Sequence, residues 1–498
     1  MTARPLTALP LILTLLGGCA VGPDFQTPQA PAAAGYGKDI VLPPAGDTTQ
    51  RLVPDGDVAA DWWHIFQSEP LNTLVRQALA TNPTIAAGQA ALRQALENVA
   101  AQRGFFYPSV SAGVDASRNL TPLAAVSPAG PNGNPYYSLI TPQLNVSFAP
   151  DVFGANRRAL ESLQAQADNQ RFMLEATWVT LTSNIVAAAI QEGSLRGQIQ
   201  TIEQTVRIET DLLTILRAQQ RLGQVSGGDV AAQEAALAQA QQQLPPLRKQ
   251  LAQQRDALIA LAGRFPDEDI TQTFDLTSFR LPAELPVSLP ADLVKQRPDV
   301  RQAEENLHAA SANIGQAVAA RLPQITLTAQ VGNSANSAGN LFTPGTNFWS
   351  LTGGLTQPLF DGFALMHRQR AAQAAFDQAA AQYQGTVLSA FQNVADALRA
   401  LQSDADAVNA ASAAEQAAGR SLVIARKQLQ LGQVAYLTLL NAENTYAQAR
   451  LLQVQAQAAR LADTAALFQA LGGGWWHRIP AAENTLQKAG QEMPPGLP

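Results

Sequence analysis

The sequence predicts a mainly α-helical chain with a small membrane β part, laid out as two similar halves. Three observations carry that expectation. Short motifs recur in the same order in the two halves of the 498 residues. One long stretch in each half runs without proline and is rich in Ala, Gln and Leu, a composition that favours helix. Four short segments alternate apolar with small polar residues and carry aromatics at their ends, the pattern of strands with one face in lipid and the other in water.

In chain order, the first element is an export signal over residues 1–18. Arg4 is followed by an apolar run from Leu6 to Leu16, too short for a spanning helix, which needs ~20 residues. Leu16-Gly17-Gly18-Cys19 resembles a lipobox, in which the cysteine sulfur takes a diacylglyceryl group and becomes the mature N-terminus. The other reading is an ordinary signal peptide with an incidental cysteine. A lipidated Cys19 would bear enough acyl chains for stable anchoring, and Ala20 after it, where Asp would retain the protein at the inner membrane, points to the outer membrane. Cys19 is the sole cysteine, so no disulfide framework exists. Residues 19–60 then read as an extended Pro/Gly/Ala-rich tether, and 474–498 as a frayed tail. The mature chain has no run of 18 apolar residues, so a membrane crossing must be made with strands.

The tandem duplication follows from three ordered matches. Leu222-Gly223-Gln224-Val225 recurs as Leu431-Gly432-Gln433-Val434. Tyr107-Pro108-Ser109-Val110 is echoed by Leu322-Pro323-Gln324-Ile325, and Asp151-Val152-Phe153-Gly154 by Phe360-Asp361-Gly362, each of the last two followed by a pair of arginines. The first repeat spans 61–270, a linker 271–290, and the second repeat 291–473. Each half reads as helix, hairpin, long helix, tight turn, long helix. The opening helix carries Leu71, Leu74, Val75, Ala78 and Leu79 at helical spacing. A second follows from Pro83 with Leu92, Leu96 and Val99, and its counterpart starts at Arg297-Pro298-Asp299, where proline suits the first turn and Asp the positive dipole end.

Strands are expected at about 109–117, 139–149, 324–332 and 348–357. Val110, Ala112, Val114 and Ala116 alternate with serine, glycine and aspartate; Ile325, Leu327, Ala329 and Val331 alternate with threonine and glutamine. Four strands cannot close a barrel, for which about eight is the minimum. The chain must therefore oligomerise, and three copies give twelve strands, although strand count alone also permits a dimer. Ala364 to Leu431, at 1.5 Å per residue, makes a helix of about 100 Å. Leu388, Phe391, Ala395, Leu398 and Ala405 read as its coiled-coil seam.

These residues resemble the outer-membrane efflux lipoproteins of the NodT and OprM type, TolC-like factors of RND efflux systems. The likeness covers nearly all of 16–476. It rests on Cys19-Ala20-Val21-Gly22-Pro23-Asp24-Phe25, Asp61-Trp62-Trp63, the block from Ala149 to Arg158, Arg297-Pro298-Asp299-Val300, and Ala470-Leu471-Gly472-Gly473-Gly474-Trp475. The resemblance implies a homotrimer: a 12-stranded outer-membrane β-barrel, four strands per chain, continuing into a 12-helix periplasmic α-barrel. It implies a periplasmic adaptor and an inner-membrane RND transporter as partners, with small molecules passing through chemically unchanged. The turns bearing Gly223, Val225, Gly432 and Val434 look like the adaptor-contacting tips; equally, their glycines serve simply as left-handed helix ends. Leu437 aligns with the hydrophobic ring of the periplasmic gate, and Asn441 and Asn444 stand where OprM-like members have an acid and an arginine. The expected gate is thus closed by Leu437 packing and polar contacts without ion pairs.

Catalysis is not expected. His64, His308, His367 and His477 lie at no metal-ligand spacing, and there is neither a Walker phosphate loop nor a Gly-x-Ser-x-Gly elbow. The acid pairs Asp267/Asp269 and Glu304/Glu305 read as caps or solvent-facing groups. No cofactor is expected beyond lipid on Cys19, and a net charge of −6 offers no footprint for nucleic acid. Two other readings are a TolC-like duct for protein secretion and a lipid-anchored periplasmic coiled-coil scaffold.

Overall fold

The computed structural model describes residues 20–31, 35, 36, 50–120, 136–288 and 290–478. The signal segment, Cys19, much of the tether, the loop of the first hairpin and the tail from 479 lie outside the described residues. The elements in order are β1 (Arg51–Pro54), α1 (Glu69–Thr81), α2 (Pro83–Gly104), β2 (Ser109–Leu120), β3 (Tyr136–Phe148), α3 (Ala155–Arg221), α4 (Gly227–Leu261), β4 (Glu284–Val287), α5 (Pro290–Gln296), α6 (Pro298–Ala319), β5 (Gln324–Asn333), β6 (Asn347–Thr356), α7 (Ala364–Gln430) and α8 (Tyr436–Ala470). Element lengths repeat between the halves. α2 and α6 each have 22 residues, α3 and α7 each 67, and α4 and α8 each 35. The long helices start alike as well: Asp151 accepts from the backbone N–H of Asn156 and of Arg157 at 2.9 Å, and Asp361 from that of Leu365 at 2.7 Å. α4 runs through Pro245 and Pro246 without ending.

Two compact units emerge, and each draws residues from both sequence halves. One comprises Met1–Pro28, Ala91–Arg171 and Gln302–Gln384; the other Gln29–Ala90, Phe172–Arg301 and Gly385–Pro498.

The first unit holds an antiparallel sheet of order β2-β3-β5-β6. Its register sets Val110, Val146, Ala329 and Leu351 in one cross-strand row, and Ala112, Leu144, Val331 and Trp349 in the next. The intervening row is Ser111, Asn145, Gln330 and Ser350. Because side chains alternate along every strand, this register gathers the apolar residues on one face. That face is uncovered: Val110, Val114, Trp349, Leu351 and Leu355 are all exposed. A water-soluble protein does not leave so much contiguous apolar surface open, whereas a barrel wall in lipid does.

The second unit has a buried core. Leu71, Leu74, Val75 and Ala78 of α1 are fully buried, as its spacing predicts. Trp62 stacks on Phe468 at 5.5 Å and Trp63 meets Trp178 at 5.5 Å. Arg297 donates to the Ala470 carbonyl at 2.9 Å and pairs with Asp299 at 2.6 Å, so the Arg-Pro-Asp block ties the end of α8 to the start of α6. Among the described residues, α3 has a stretch long and apolar enough to cross a bilayer, and 67% of that stretch is buried.

Four details differ from expectation. The expected frayed tail begins with folded residues: Trp475–His477 form a short helical turn, and Trp476 Nε1 donates to Asp57 at 3.1 Å, because the indole rings find partners there. Leu388 is 71% exposed, and the buried stripe of α7 runs through Val387, Ala390, Val394, Leu398, Leu401, Ala405 and Val408. In an Ala-rich helix two registers satisfy the same spacing, and packing selects between them. Glu304 is buried, not solvent-facing, because it sits on the same helical stripe as Val300, Leu307 and Ser311. The tether contains β1, which pairs in parallel with β4; these four-residue strands are too short to show a period.

Candidate functional site

The expected tip residues lie where the two long helical hairpins turn, all within the second unit. α3 ends in a left-handed Gly223 (φ +74°), and α7 in Gly432 (φ +70°). At the first turn Gln224 N–H donates to Gln219 C=O and Gly223 N–H to Gln220 C=O; at the second Gln433 donates to Gln428 and Gly432 to Leu429, all at 2.9–3.0 Å. Both are Schellman ends, which need a residue at positive φ. A side chain built on either glycine would meet open space. The returns differ. Ser226 and Asp229 form a capping box on α4, whereas Ala435 gives α8 no side-chain cap.

Between the turns, Leu213, Leu216, Val230, Leu422, Leu439 and Leu440 form a buried cluster, with Val225 packed against it. A groove of about 580 Å³ opens beside it, lined by Ile215, Leu216, Gly223, Val225, Leu429 and Tyr436. The structure thus brings Gly223 and Val225 into one recess with the start of α8, while Gly432 and Val434 do not line it. Leu437, Asn441 and Asn444 follow i, i+4, i+7 spacing and share one exposed face of α8, with Leu437 57% exposed in the single chain. Asn441 lines a second recess of about 520 Å³ with Arg420, Ser421, Ile424 and Thr438.

A buried polar group beneath this surface was missed by sequence reasoning. Gln233 of α4, fully buried, donates to the Glu209 backbone carbonyl of α3 at 2.8 Å and to the Glu209 carboxylate. The Tyr436 hydroxyl of α8 donates to the Gln233 side-chain carbonyl. Arg426 of α7 donates to Glu443 of α8 at 3.1 Å. Four helices are joined, with the link between the two hairpins made by Tyr436 and Gln233. Glu209 and Glu443 are both buried, and each has one carboxylate oxygen without a protein partner. Burial pushes the Glu443 carboxyl up to about 7, opposed by the Arg426 hydrogen bond and reinforced by Glu209. Burial also raises Glu209, against its bond from Gln233. Tyr436 is raised by burial and then by the charges of Glu209, Glu443 and Asp229. One signal was available: Glu443 continues the apolar stripe of Tyr436, Leu439 and Leu440, where an acid is out of place. Gln233 gave none, lying in a run of Gln and Ala.

The arrangement offers two helical turns, a polar link between the two hairpins, and an exposed Leu/Asn face.

Comparison with known proteins places this geometry. The family model for outer membrane efflux proteins matches residues 74–264 and 289–473. The toluene efflux pump outer membrane protein TtgC of Pseudomonas putida is 29% identical, over 99% of this chain and 100% of its own length. The cation efflux system protein CusC of Escherichia coli is 27% identical, over 95% and 99%. Among solved structures, the Campylobacter jejuni outer membrane channel CmeC superposes with a TM-score of 0.84 at 21% identity, over 95% of this chain and 98% of that one. The outer-membrane channel OprN gives 0.82 at 24%, over 92% and 100%. Both share this fold, which is TolC-like.

Proposed function

The chain belongs to the outer membrane efflux protein family and is the outer-membrane exit duct of a tripartite efflux pump; from that premise we propose that it works as a homotrimer. Three four-stranded sheets then close a twelve-stranded barrel, and three sets of long helices make a twelve-helix periplasmic tunnel. The observation that carries this reading is the sheet itself. It has an uncovered apolar face and two edge strands, β2 and β6, each paired on its inner side only, with an outer edge that pairs with no strand among the described residues. Edge strands with unpaired backbone groups cannot sit in hydrocarbon, so copies must pair them.

In this reading Cys19 carries the lipid anchor. A periplasmic adaptor contacts the turns around Gly223, Val225, Gly432 and Val434, and an RND transporter of the inner membrane supplies the cargo. Cargo is a range of small molecules, passed on chemically unchanged. That two relatives so alike in length are named for toluene and for cations supports a duct that leaves selection to other parts of the pump. At the periplasmic end, Leu437 forms the constriction and Asn441 and Asn444 line it without charge.

Native mass measurement of detergent-extracted protein, paired with planar-bilayer recording, tests the proposal. Three chains per particle and a discrete conductance are expected. A monomeric or dimeric particle, or release from membranes on removing the lipid alone, would overturn it.

A further inference from the structure

The stretch after Cys19 is not a free tether. Ala20 lies against Gly154, and Val21 N–H donates to the Phe153 carbonyl at 3.2 Å. Arg158, at the start of α3, is buried and spends most of its hydrogen bonds on this segment. Its Nε donates to the Val21 carbonyl at 3.1 Å, and Nη2 to the Gly22 carbonyl at 3.4 Å and to Asp24 at 2.7 Å. Nη1 is held by Glu161 at 2.7 Å. Phe25 stacks on the His308 ring at 4.3 Å and 14°. That ring is in turn bracketed by Glu161 at 3.1 Å and Glu305 at 3.4 Å.

The seat is shaped to backbone dimensions. Gly22 (φ +98°) crosses Gly315 of α6 so closely that a Cβ on Gly22 would stand 2.4 Å from the Gly315 Cα. A Cβ on Gly315 would stand 2.8 Å from the Val21 carbonyl oxygen and 2.7 Å from Arg158 Cγ. Glycine inside a helix costs stability relative to alanine, so its presence at 315 is explained by what passes over it. The notch belongs to the same unit as the sheet, and Gly154 follows the end of β3 by six residues (154 − 148).

We propose that Ala20–Phe25 is a docked peptide, seated in a notch of Gly154, Arg158, Glu161, His308 and Gly315, and that this notch is a mount for the lipid. It fixes the residue next to Cys19 at the strand-to-helix junction, so the lipid's attachment point is tied there by a docked peptide and not by a loose leash. The mount rests on the reading that Cys19 is acylated, but the two can fail separately.

The test compares full-length wild type with Gly315→Ala, Arg158→Gln and Asp24→Asn in membranes. Hydrogen exchange at the Val21 amide and the mass of the N-terminal peptide are read on each. Gly315→Ala, which in a helix with no such contact would be stabilising, is expected to speed Val21 exchange at least tenfold. Arg158→Gln should do the same, and Asp24→Asn much less, since the Asp24 side chain is largely exposed. In the first two, the peptide keeps its lipid while the oligomer dissociates in detergent at lower temperature. Val21 exchange as fast as in a free peptide in wild type, or unchanged in both notch variants, overturns the mount. A protected Val21 on a peptide without lipid overturns the acylation and leaves the seat standing.

Discussion

Replacing Tyr436 by Phe isolates the polar link between the hairpins. The ring stays in the apolar cluster of Leu213, Leu216 and Leu439, so packing changes little. What disappears is the hydroxyl that donates to Gln233. Gln233 is fully buried, so its carbonyl oxygen is left without a partner, a loss of about 1–3 kcal/mol. If the closed tip makes this bond and the open tip does not, the open-to-closed ratio rises about 5- to 150-fold. Planar-bilayer recording of reconstituted channels reads that ratio as open-state occupancy. A double-mutant cycle with Gln233→Leu separates the bond from general loosening, because the cost of Tyr436→Phe should vanish once its acceptor is gone. Unchanged occupancy in a folded Tyr436→Phe channel, or a coupling of only a few tenths of a kcal/mol, would refute the link as a restraint on opening.

Three further outcomes are expected. Leu437→Ala should raise single-channel conductance by widening the constriction; an unchanged conductance removes Leu437 from the gate. Gly432→Ala meets open space, so its cost is the left-handed backbone alone, about 1–2 kcal/mol, seen as a lower melting temperature of the tip, with Gly432→Asn losing less. Glu443, its carboxyl pushed by burial from an ordinary value of 4.5 up to about 7, holds its proton more tightly folded than unfolded. The junction should keep its full stability below about pH 4.5 and lose it as pH rises through 7, by on the order of 3 kcal/mol at most. Glu443→Gln should flatten that dependence in thermal melts across pH 5 to 8.

The sequence by itself determined the features that depend on local spacing. The duplication, the alternation in four strands, the α1 stripe and the glycine-ended turns all reside in residues a few positions apart, where backbone periodicity and helix-end chemistry act directly. The tertiary structure alone decided which partner each element meets. Val387 and Leu388 are equally good seam residues by spacing, and only the neighbouring helices distinguish them. Tyr436 and Gln233 lie 203 positions apart, and Arg158 reaches Val21 across 137. A polar side chain in a helix, or a Pro- and Gly-rich stretch, looks the same in sequence whether water or a buried partner takes its hydrogen bonds. That choice is made by the fold, through the cost of leaving a buried group unpaired.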